Sequence, residues 1–152
     1  MIQSSRLPAV LVLAGVLAGG GVFMYARQSD AAAAGASHLE ELRNAIARPD
    51  ATATKWMAYA KTLQDLKRFA DAAWAYEQVL KMEPLSTEAR LQGAVCYALT
   101  GNADEFFSFL RATKEAKPTL ARDIFLRPEA HPYLDEPRFQ ALQKEAIAAS
   151  MD

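Results

Sequence analysis

Apolar residues after about position 37 recur at helical rather than alternating spacing, and short polar or proline-bearing breaks divide them into segments. Leu39, Leu42 and Ile46 give a narrow stripe that Pro49-Asp50 ends, and Ser37-His38-Leu39-Glu40 ahead of it has the form of a capping box. Helical spacing resumes near Ala53 and runs to Leu66, with Trp56, Tyr59, Ala60 and Leu63 on one face. Lys67-Arg68 marks a turn. A second helix is predicted from Phe69 to Lys81, burying Phe69, Ala72, Ala73, Tyr76 and Leu80 before Pro84 closes the unit. A turn this short forces the two helices to pack antiparallel, and Ala60 and Ala72 let their backbones approach.

The pattern recurs. Advancing by about 34 residues carries Pro84 onto Pro118, Ala60 onto Ala94, Leu63 onto Tyr97, Lys67 onto Gly101 and Tyr76 onto Leu110. The stretch from Thr87 to Pro118 therefore reads as a second hairpin, turning at Gly101-Asn102. Arg90 replaces Trp56 and Phe106 replaces Ala72, so its packing must differ. A third step places Pro128 where a close-packed helix needs a small residue, which ends the series. The carboxyl-terminal residues predict a short helix near Leu120–Leu126, a proline-rich bend, and a last helix from Asp135 with Phe139, Leu142 and Ile147 inward.

Trp56-x-x-Tyr59-Ala60-x-x-Leu63, then Ala72-x-x-x-Tyr76 and Pro84, resembles the tetratricopeptide repeat signature. It departs at Tyr59, Ala60 and Leu63, where the signature prefers Leu, Gly and Tyr, but each replacement keeps the size class. The resemblance covers residues 53 to 118 and implies an all-α fold. Its helical domain, 37–152, would hold repeats at about 53–86 and 87–120, and a cap at 120–152 covering the end of the stack. It also implies that the first helix of each pair lines a groove for peptides or partner helices. Those positions are Thr54, Met57, Lys61, Gln64 and Asp65, then Glu88, Leu91, Val95, Ala98 and Leu99. The second set is apolar, and a solvated groove does not leave Leu91, Val95 and Leu99 bare, so either the carboxyl-terminal segment folds back over them or a partner does, self-coverage being favoured.

The amino-terminal 27 residues are different. Leu7 to Ala26 carries no charge and is bracketed by Arg6 and Arg27. As a helix it would cover about 30 Å, the hydrocarbon thickness of a bilayer. A cleaved signal peptide is the rival reading. Its apolar core should be shorter and its small-residue site closer than Ala34-Gly35-Ala36, so a retained single-pass anchor over 1–27 is favoured. Charge flanking the run tips weakly toward a body outside the cytoplasm, periplasmic in a Gram-negative cell. Gly15 and Gly19, one turn apart, offer a close lateral contact for another membrane helix. Residues 28–36, "QSDAAAAGA", lack apolar periodicity and read as a flexible alanine-rich linker.

Composition then removes function classes. All 18 acidic side chains follow Arg27, whereas two of the 17 basic ones do not, so the body is mildly acidic. Nucleic acid is not an expected partner. A lone Cys96 with His38 and His131 far apart does not make a zinc site. No nucleophile–base motif, phosphate loop or metal spacing occurs, so neither catalysis, cofactor nor small-molecule substrate is expected, and an enzyme whose site is built from distant residues is the remote alternative. Arg111, Lys114 and Lys117 form a basic strip that suits a solvated helix face better than lipid headgroups. Trp56 is expected in the core, with Trp74 off the buried stripe and turned toward a neighbouring element or a partner. The expectation is an anchored adaptor or accessory subunit that binds other proteins in a membrane complex. The alternative is a small structural subunit that its transmembrane helix places and whose helical domain only braces the assembly.

Overall fold

The computed structural model describes residues 21–151, with side chains from Ala34 onward. Among these the chain is all-helical: α1 (Gly21–Ile46), α2 (Ala53–Asp65), α3 (Phe69–Met82), α4 (Thr87–Thr100), α5 (Ala103–Ala116), α6 (Pro118–Phe125), a 3-10 turn (Pro128–Tyr133) and α7 (Pro137–Ala149).

Local chemistry starts and stops these helices. Thr52, Ser86 and Asn102 accept from the amides of Lys55, Ala89 and Glu105, each three residues on, capping α2, α4 and α5. Pro118 and Pro137 stand in the first turn of α6 and α7, where a missing N–H leaves no bond unmade. Both hairpin turns need a left-handed residue. Gly101 supplies it at φ 75 without steric cost, whereas Lys67 adopts φ 61 with a side chain attached.

α2 and α3 close on one another through Ala60, Ala72, Ala73 and Leu63, all fully buried with Tyr76 and Val79. Small residues at the crossing let the backbones approach, and the larger side chains fill the flanks. Val79 takes the innermost place that sequence periodicity assigns to Leu80, which is only partly buried. Trp56 is likewise half-buried, and the half-exposed Trp74 meets it edge-on at 5.3 Å.

The second hairpin repeats the layout. Lys117 Nζ donates to Thr87 Oγ1 at 2.9 Å, tying the end of α5 to the start of α4. Lys61 pairs with Glu88, and one turn further on Gln64 bonds Gln92, so α2 and α4 run in the same direction. α5 and α7 are parallel too, since Asp104 pairs with Arg138 near their starts and Lys114 with Glu145 near their ends. α6 with the 3-10 turn, followed by α7, thus forms a third helical pair in outline, with its first helix cut short by Pro128. Lys114 and Lys117 are engaged in these internal contacts.

The core has two parts. One joins α1, α2, α3 and α4 around Leu63, Tyr76 and Cys96; the other joins α4 to α7 around Phe106, Tyr133 and Phe139. In the second, Phe106 lies 4.7 Å from Tyr133, and Phe125 meets Phe139 edge-on at 4.9 Å.

Three expectations are corrected. Residues 28–36 lie inside α1 and not in a flexible linker, and Ser37 is mid-helix rather than a cap. Alanine is the strongest helix former, and Ala31–Ala34 with Ala36 outweigh the weaker formers Ser29, Asp30 and Gly35, so a segment without an apolar stripe still extends the helix. Ile147 is 43% exposed, and Ala146 faces the core in its place beside Phe139 and Leu142. The uncharged run Leu7–Ala26 lies largely outside the described residues, and Gly15 and Gly19 wholly so. Among the described residues no helix is long and apolar enough to cross a membrane.

Candidate functional site

The ten positions assigned to a groove fall on α2 and α4, whose parallel course makes them neighbouring rows. The structure divides them into three sets. Thr54, Lys61, Asp65, Glu88 and Leu99 are exposed. Met57, Gln64 and Leu91 are half-buried, and Val95 and Ala98 are buried.

The polar members are joined to one another. Lys61 Nζ lies 2.7 Å from Glu88 Oε1, with both side chains about half exposed. Gln64 is the junction beneath them: its Nε2 donates to Gln92 Oε1 at 3.1 Å, and its Oε1 accepts from the Tyr76 hydroxyl at 2.9 Å. Three helices therefore meet at one amide. Burial holds the Tyr76 hydroxyl well above its usual range, with smaller pushes from Cys96, Glu88 and Asp65, so it stays a donor. Gln92 and Tyr76 escaped sequence reasoning as partners of this site. The signal available was spacing, since Gln92 follows Glu88 by one turn much as Gln64 follows Lys61.

The apolar half is closed by the chain itself. Val95 and Ala98 are buried, Leu91 packs against the α4–α7 core, and Tyr133 donates its hydroxyl to the Ala98 carbonyl at 2.9 Å. Leu99 is the exception. At 43% exposure it stands on the rim of an open depression between the end of α4 and the 3-10 turn, with Gly101, Pro128 and Pro132. The carboxyl-terminal segment thus packs over the α4 row at Leu91 and Ala98, while Glu88 and Leu99 stay exposed.

Cys96 is fully buried, and burial pushes its thiol up to about 12, so the thiolate is scarce at neutral pH. Among the described residues no group of three or more His, Cys, Asp or Glu side chains converges to hold a metal. The surface carries a strip of exposed polar groups across the parallel helices α2 and α4. No protein-family model, curated protein or solved structure matches the chain.

Proposed function

We propose that the chain is a membrane-anchored adaptor or accessory subunit of the tetratricopeptide type, with Leu7–Ala26 as its single-pass anchor. It binds a segment of another protein on the α2 side of its groove and performs no bond-breaking chemistry. The observation that carries this reading is the exposed Lys61–Glu88 bridge across two parallel helices, flanked by Thr54 and Asp65. An ion pair this exposed is held by about 1 kcal/mol or less, so an incoming charged or polar segment can replace it at small cost. The cap closes the rest of the groove, which limits the contact to a short segment.

Affinity purification of the detergent-solubilised full-length chain tests it. A defined set of membrane-complex subunits should co-purify with the native chain and be lost with Lys61→Glu, which sets like charges against Glu88. Co-purification of the same set with both would count against the groove.

One observation favours the bracing alternative. Lys61, Gln64, Glu88 and Gln92 already satisfy one another, as in a domain whose rows serve its own rigidity. Under that reading, removal of Leu7–Ala26 abolishes incorporation into the complex and groove substitutions are silent.

A further inference from the structure

The path of α1 relative to the body is fixed by a close approach at Gly35. A Cβ added there would lie 3.3 Å from Leu66 Cδ2, so α1 passes the carboxyl end of α2 at this point. The connection between the two helices, at residues 47–52, lies at the other end of α2. Helix from Gly21 to Ala34 therefore extends beyond the Leu66 end of the body by about 20 Å, at 1.5 Å per residue.

In the sequence the uncharged run stops at Ala26, and from Arg27 to Gly35 only about 12 Å of helix intervenes. Because α2 and α4 are parallel, the turn at Lys67-Arg68 and the turn at Gly101-Asn102 share this end. The Pro84-Leu85 turn is at the opposite end, about 20 Å away along α2. A flexible tether would let the body adopt any attitude. A continuous helix does not.

We infer that α1 is a rigid strut that leaves the bilayer and holds the Lys67–Gly101 end of the body toward the membrane face, with Leu85 pointing away. This rests on the reading of Leu7–Ala26 as a retained anchor. Any partner on α2 would then meet a strip running from near the headgroups at Asp65 outward to Thr54. The strut sets the height and direction of that strip.

The test uses the full-length chain in phosphatidylcholine vesicles containing a lipid with a nitroxide on its headgroup. A fluorophore is attached at Asp65→Cys or at Leu85→Cys, both exposed positions, while buried Cys96 stays unlabelled. Nitroxide quenching should be several-fold stronger at position 65 than at 85. Replacing Ala31, Ala32, Ala33 and Ala34 by glycine, which removes the helix preference of that stretch, should bring the two values together. Equal quenching in the native-strut chain, or an undiminished contrast in the glycine variant, overturns the inference while leaving the anchor in place. Failure of the chain to float with vesicles overturns the anchor itself, and the strut with it.

Discussion

Gln64 and Gln92 bond side chain to side chain across parallel helices, Nε2 to Oε1 at 3.1 Å, while the other oxygen of the junction, Gln64 Oε1, takes the Tyr76 hydroxyl at 2.9 Å. Replacing Gln64 by Leu keeps the volume and removes the partner of the Tyr76 hydroxyl, while half-buried Gln92 can turn to water. Tyr76 is fully buried, so its hydroxyl has no water to turn to. A buried group left unpaired costs about 1–3 kcal/mol, and Gln64→Leu should lose that much in urea unfolding. Adding Tyr76→Phe should cost less in this background than in the native chain, because the orphaned hydroxyl is gone. Additive losses would mean the junction carries no coupling.

The two hairpin turns form a matched pair. Lys67 holds φ 61 with a side chain and Gly101 holds φ 75 without one. Lys67→Gly should raise stability by about 0.5–1 kcal/mol, since the left-handed region favours glycine. Gly101→Ala should lower it by about 1 kcal/mol for conformation alone, because nothing lies within 4 Å of the added Cβ. Denaturant midpoints of the two variants, moving in opposite directions, check this.

Gly93 is required for a different reason. A Cβ there would come within 2.8 Å of Phe109 Cζ, and that ring is nearly buried and lies against Tyr97 at 5.2 Å. Alanine gains about 1 kcal/mol of helix propensity over glycine, while overpacking costs about 1–3 kcal/mol. Gly93→Ala should therefore be mildly destabilising and Gly93→Val clearly more so. Phe109→Leu should relieve part of the valine penalty in a double-mutant cycle.

Alkaline pH should loosen the fold. Burial raises the Cys96 thiol to about 12 in the folded chain, above the ordinary value near 9 that it regains on unfolding. The folded state thus keeps a proton that the unfolded state sheds. Stability is fully present below about pH 9 and declines toward pH 12. Tyr76 and Tyr97, also raised chiefly by burial, add to the decline above about pH 10. At pH 10.5 the thiol alone accounts for ~2 kcal/mol, and Cys96→Ala should flatten that part of the pH–stability curve. A native chain equally stable at pH 8 and 10.5 would contradict it.

Much of this was legible in the order of residues. Gly101-Asn102 announces its turn because few residues enter left-handed backbone or cap a helix, Lys67-Arg68 announces its own by interrupting the apolar stripe, and Ala60 and Ala72 announce the crossing because only small side chains fit one. Two kinds of feature escaped. Helix continuation through residues 28–36 depends on alanine's propensity, which leaves no apolar period to read. Pairings such as Gln64 with Gln92, or Asp104 with Arg138, depend on which helices run parallel, a tertiary fact that no local pattern encodes. The third helical pair was hidden for the same reason: Pro128 breaks the repeat in sequence, while α5 and α7 keep it in space.

The proposed function requires that the α2 row, and not the capped α4 row, meets a partner. Site-specific photocrosslinking of the full-length chain in its native membranes tests it directly, with a photoreactive side chain placed in turn at Lys61, Asp65, Leu91 and Leu126. Discrete adducts to one other protein from positions 61 and 65, with none from 91 and 126, is the predicted result. Adducts from 91 or 126 alone, or from none of the four, would contradict it.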